Sequence, residues 1–120
     1  MPAISRSRLV RAVATGFAFG VAVELMAILA AVASAGGGHG DYIAARALFP
    51  GPLLLAFLEG GRIGPLSLAA GLLQFPLYGG LLLWGFAQRH HLPGIAVALI
   101  HLLGVAVCFS GLVPNFTSAS

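Results

Sequence analysis

The sequence predicts an all-α integral membrane protein, a compact antiparallel four-helix transmembrane bundle forming one domain over residues 1–120, with a second helix that is short and Pro-broken. Three observations carry this prediction. Hydrophobic residues make up 59% of the chain and charged residues 8%, too little polar surface to coat a soluble globule. Several apolar runs approach or exceed the about 20 residues that a helix needs to cross a hydrocarbon core. The connections GGGHGD, GGRIGP and QRHHLP are short, which favours antiparallel neighbours.

The first span covers residues 12–34, and its only charge is Glu24. An ionised side chain at the centre of a span costs about 2.5 to 3.5 kcal/mol on the insertion scale, so Glu24 is a functional candidate by default. Arg6, Arg8 and Arg11 precede the span and place that end in the cytoplasm of a prokaryote-like cell. The basic start and the Ala33-Ser34-Ala35 pattern also resemble a secretory signal. The run is longer than a usual signal core and is interrupted by Glu24, so a retained span is the preferred reading.

The second span, residues 42–59, contains Arg46 and the break Phe49-Pro50-Gly51-Pro52. The two prolines free the carbonyls of Arg46 and Leu48, and these need partners inside the protein. The apolar LLLAFL stretch that follows favours a crossing. The alternative is three spans, with residues 42–59 re-entrant or on the surface. Charge does not separate the two: each arrangement puts four arginines inside and two outside, exchanging Arg62 for Arg89. Four spans return both termini to the cytoplasm. The remaining spans are residues 66–87, with Pro76 inside, and 94–113.

Lipid gives helices no hydrophobic reason to associate, so small residues mark where backbones meet. Gly16 and Gly20 in the first span and Gly104 and Gly111 in the last are the candidate packing positions. Glu24, Gln74, Tyr78 and His101 fall on the same small and polar stripes, and Glu24, Gln74 and His101 each lie within about 5 Å of the midplane. The expected arrangement is a polar set in which Glu24 and His101 share a proton or form an ion pair, with Gln74 as third partner. The competing reading is packing glue that fixes helix register.

Arg46 is expected to snorkel to the outer interface, or to contact an anion or a quinone carbonyl. Glu59 and Arg62 read as a solvated loop pair, and Tyr42 and Trp84 suit the aromatic belt. With four spans, His39, Asp41, His90 and His91 gather on the outer face as a candidate zinc or copper site. No segment has a recognised ligand spacing such as HExxH, and interfacial histidines in turns are the competing reading. Three spans would separate these groups across the membrane.

Other classes are excluded or weakly supported. The net charge of +3 comes from arginines spread along loop ends, not from the clustered basic face of a nucleic-acid binder. The single cysteine, Cys108, excludes a two-cysteine redox centre. No hydrolase, kinase or dinucleotide motif is present. Bis-histidine haem needs two facing histidines, and only His101 is inside a span.

With GHGDY, ARALFPGP and QFPLYGG in order, the chain resembles small bacterial membrane proteins of unassigned role that carry a similar loop, an FP break and a QFPLYG segment. The resemblance covers roughly residues 38–113 and implies a bacterial inner-membrane origin but no activity. In size and in its first-span glutamate the chain is also similar in topology to small multidrug resistance transporters. The residues around Glu24 and the position of Trp84 depart from that family's pattern, so no residue role carries over.

The expected function is that of a non-enzymatic membrane protein, an accessory or structural subunit of a larger assembly or a small homo-oligomer, with the lipid bilayer and other membrane subunits as partners. The alternatives are a proton-coupled transporter using Glu24 with His101 or Gln74, and a quinone- or haem-associated redox component using His101, Tyr78 and Arg46.

Overall fold

A computed structural model of the chain describes residues 3–36 and 40–111. These residues form five helices, α1 (Arg6–Ala35), α2 (Ile43–Leu48), α3 (Pro50–Leu58), α4 (Pro65–Ala87) and α5 (Leu92–Phe109). Three of them, α1, α4 and α5, are long and apolar enough to cross a membrane. The all-α membrane class therefore holds, and the fourth span does not. Residues 42–59 are split at Phe49, whose φ of −127° and ψ of 54° end α2 and start α3. Neither six nor nine residues at about 1.5 Å each can cross a core about 30 Å thick.

The path of this broken segment follows from how α1 and α4 meet. A Cβ on Gly16 would sit 2.0 Å from the Gly79 carbonyl oxygen, and one on Gly20 would sit 2.2 Å from that of Phe75. Rising numbers on α1 thus meet falling numbers on α4, so the helices are antiparallel with their backbones in contact. The end of α1 and the start of α4 consequently lie at the same end of the pair. The chain between them enters and leaves on that side, which is the re-entrant arrangement of the three-span alternative. α5 runs back along α4, with Gly94 beside Leu82 and His101 beside Tyr78. The start of α1 and the end of α5 consequently lie at opposite ends of the bundle.

The predicted packing glycines divide accordingly. Gly16 and Gly20 are buried, with Gly79 as the unforeseen partner. Gly104 lies against the Pro50 ring, 3.0 Å from where its Cβ would be. Gly111 is a correction: at φ +86° with nothing within 4 Å, it ends α5 in a left-handed conformation instead of packing.

Side chains secure both ends of the re-entrant segment. The Ser34 hydroxyl donates to the Ala31 carbonyl and accepts from the amide of Ala45 at 3.2 Å, an amide that α2 leaves without a helical partner. Asp41 accepts from the Ile43 amide at 3.0 Å. At the other end Glu59 accepts from the amides of Gly64, Leu66 and Ser67 at 3.2, 2.9 and 3.1 Å. It caps α4 and does not form the solvated pair with Arg62 that its spacing suggested.

Partial burial opposes ionisation of Glu59, but the Ser67 hydroxyl and these three amides outweigh it and hold its pKa below the ordinary carboxylate value. A depressed pKa means that the ionised cap stabilises the fold fully above the unfolded value of about 4.3, and that this contribution is lost as the pH falls through the lower, folded value. Glu59→Gln is expected to lower the thermal unfolding midpoint in detergent at pH 7, with the gap from wild type closing toward pH 3. Tryptophan fluorescence of Trp84 during a melt measures both midpoints.

Candidate functional site

The site is the break itself and the polar side chains that hold it. At the end of α2 a regular helix would bond the carbonyls of Arg46, Ala47 and Leu48 to the amides of residues 50, 51 and 52. Pro50 and Pro52 have no N–H, and the turn at Phe49 takes Gly51 out of line. These acceptors lie among apolar helices with no water to solvate them.

Two of the predicted polar residues supply donors. Gln74 of α4, 8% exposed, donates from Nε2 to the Leu48 carbonyl at 2.5 Å. His101 of α5 bonds through Nε2 to the Ala47 carbonyl at 2.7 Å. A carbonyl only accepts, so Nε2 carries the proton, and Nδ1 is left to accept from the Tyr78 hydroxyl 3.3 Å away. Beyond the break, Cys108 Sγ lies 3.6 Å from the Pro50 carbonyl. Edge-to-face ring contacts run from Phe49 to Phe75, Tyr78 and His101 with centroids 5.6 to 5.8 Å apart, the geometry that aromatic quadrupoles favour. The joint is thus anchored to α4 and α5 at two consecutive carbonyls.

Gln74, Tyr78 and His101 are therefore brought together, as the stripes predicted, but on the backbone of the re-entrant segment. Glu24 stands apart from them. It is 4% exposed, and Oε2 accepts from the Phe75 amide at 3.2 Å, where α1 crosses α4 beside Pro76. Its Oε1 is buried without a hydrogen-bond partner. Among the described residues no hydrogen bond joins Glu24 to His101 or Gln74, so the expected shared proton or ion pair is replaced by bonds to main-chain groups.

Arg46 occupies the last turn of α2, where its charge complements the helix dipole. Its guanidinium lies 5.7 Å from the centroid of the Phe109 ring, within cation–π range, and Nη2 is buried without a partner. The expected metal site is corrected. Asp41 lies at the start of α2, while His90 and His91 lie in the α4–α5 turn at the opposite end of the bundle, separated by the length of α4. Among the described residues no group of three or more metal-ligating side chains occurs; His39 lies outside the described residues.

Sequence reasoning missed the roles of Ser34 and Gly79, and read Glu59 as a loop charge where it caps α4. Ser34 was masked by its place in a signal-like Ala-Ser-Ala triplet. The Gly79-Gly80 pair was the available signal for the close approach of α1.

Replacing Gln74 by Leu leaves the Leu48 carbonyl buried and unpaired, a loss of about 1 to 3 kcal/mol. Gln74→Leu is expected to lower the unfolding midpoint and to raise hydrogen exchange at the amides of residues 43–58 above that at α1 and α5. Uniform exchange across the chain would show that the bond does not anchor the segment. Comparison of the chain with family models, with characterised proteins and with solved structures found no match.

Proposed function

We propose that this chain is a non-enzymatic bacterial inner-membrane subunit that works by docking another membrane helix, from a partner protein or a second copy. The observation that supports this reading is a second ridge of small residues on α1. Ala14, Ala18 and Ala22 are all exposed. They repeat every fourth residue on the face opposite the buried Gly16, Gly20, Glu24 and Ala27. One face of α1 is spent on α4, and the other offers the small-xxx-small surface on which membrane helices approach closely. The polar set fits a scaffold, since Gln74 and His101 are committed to carbonyls of their own chain.

In this reading the start of α1 is cytoplasmic. Arg6, Arg8, Arg11 and Arg89 lie at that end and Arg46 and Arg62 at the other, in the sense of the positive-inside rule. The resemblance carried by GHGDY, ARALFPGP and QFPLYGG belongs to the same proposal. These segments supply Asp41, the prolines of the break, Gln74, Phe75, Tyr78 and Gly79, and together they build the joint.

Ala18→Leu tests the docking face. A stoichiometric assembly purified in mild detergent and weighed by mass spectrometry is expected to dissociate in this variant, with the monomer's unfolding midpoint unchanged because position 18 faces lipid. An assembly that survives Ala18→Leu removes the reading.

A second reading, a proton-coupled transporter, is favoured by one observation, the unpartnered Oε1 of Glu24. It requires that Glu24→Gln abolish pH-dependent flux in proteoliposomes while the protein stays folded. The quinone or haem reading has less support, because both ring nitrogens of His101 are engaged.

A further inference from the structure

A cationic hollow lies where α1 begins and α4 ends. About 750 Å³ in volume, it is bounded by Arg8 and Arg11 of α1 and by Gln88 and Arg89 after α4, with Ile4 and Phe86 as apolar walls. The three acidic residues of the chain, Glu24, Asp41 and Glu59, lie elsewhere, so the hollow carries net positive charge. Guanidinium groups gathered in this way match the oxygens of a phosphate.

A separate apolar cleft of about 520 Å³ lies between α1 and α4, lined by Phe19, Val23, Phe75, Tyr78, Leu82 and Leu83 among others. α1 and α5 do not pack on each other, which leaves this face of α4 open. Leu82 and Phe86 are one turn apart on α4, and Arg8 and Phe19 are three turns apart on α1, so the cleft and the hollow share both walls. From Phe86 to Phe75 is eleven residues, about 16 Å along the helix. One leaflet of hydrocarbon is about 15 Å, half of a core about 30 Å thick.

The backbone at the hollow adds an independent observation. Arg89 has φ +56°, its amide donates to the Phe86 carbonyl, and the His90 amide donates to that of Gly85 at 2.8 Å. This is the Schellman closure of a helix, at the position that glycine ordinarily fills. An arginine there strains the backbone, and glycine would remove the strain together with the guanidinium.

We propose that hollow and cleft together bind one anionic diacyl phospholipid, with its phosphate held among Arg8, Arg11 and Arg89 and one acyl chain lying along the cleft. A zwitterionic lipid with the same chains fits the cleft but brings a cationic group to the arginines. The occupant is thus selected by charge at the hollow and retained by length in the cleft.

Native mass spectrometry of the full chain in mild detergent tests this, with palmitoyl-oleoyl phosphatidylglycerol and the matching phosphatidylcholine as probes. One phosphatidylglycerol per chain is expected to be retained at least tenfold more tightly than phosphatidylcholine. Arg89→Gly and Arg11→Gln are each expected to weaken retention about fivefold, and Arg62→Gln at the opposite end is expected to leave it unchanged. Arg89→Gly keeps or raises the unfolding midpoint in lipid-free detergent, which separates loss of the site from loss of the fold. Val23→Trp, which fills the cleft without changing charge, is expected to release the lipid as well. Equal retention of the two lipids, or an equal loss in Arg62→Gln, would overturn the proposal. Displacement of phosphatidylglycerol by millimolar inorganic phosphate, with retention unchanged in Val23→Trp, would assign the hollow to a free anion and likewise overturn it.

Discussion

Unpaired backbone carbonyls in an apolar layer are the constraint on which this structure depends. The Phe-Pro-Gly-Pro sequence cannot continue a helix, and it stands where lipid offers no hydrogen bonds. Each acceptor left unpaired costs about 1 to 3 kcal/mol. The Ala47 and Leu48 carbonyls must therefore find donors on neighbouring helices. Gln74 and His101 meet that need from two directions, and in doing so fix how α4 and α5 sit around the segment. A polar side chain in a membrane helix usually suggests transport or catalysis. Here three of the four, Glu24, Gln74 and His101, bond main-chain groups, and the fourth, Tyr78, orients one of them.

The same accounting explains the glycines of α1 and α4. Contact between Gly16 and Gly79 brings the two helix backbones together, which places Glu24 against the Phe75 amide beside Pro76. A bulkier residue at either glycine would move α1 away and leave both the carboxylate and the amide without each other. Small residues and the buried carboxylate therefore act as one unit, in which the steric condition comes first and the hydrogen bond follows from it.

Much of this was legible in the sequence, and the limit can be placed. Apolar run length gave the three long helices, and spacing by three and four gave the inward stripes of α1, α4 and α5, including Glu24, Gln74 and His101. The proline rule located the freed carbonyl of Leu48 before its partner was known. The direction of residues 42–59 was not legible, because LLLAFL is as apolar in a re-entrant helix packed on α4 and α5 as in a crossing, and because Arg62 and Arg89 exchange sides without changing the charge count. That single ambiguity carried the metal site and the direction of α5 with it. The partners of Gln74 and His101 were also hidden, since main-chain acceptors leave no mark in the side-chain pattern.

α4 connects these features. It packs against α1, α3 and α5 and reaches α2 through Gln74, and it presents a different device to each: Gly79 to α1, Gln74 to the break, Tyr78 to α5, Gly85 to the Pro93 ring, and its first amides to Glu59. A helix that serves as a common axis for partners on different sides holds those partners apart. α1 and α5 consequently leave a face of α4 uncovered, and three helices with a re-entrant joint cannot close that face from within. Aliphatic and aromatic side chains line it over the depth of a leaflet, and arginines stand at its end. The open face is a consequence of building the bundle around one helix, and in a bilayer such a face is always filled, by lipid or by another helix.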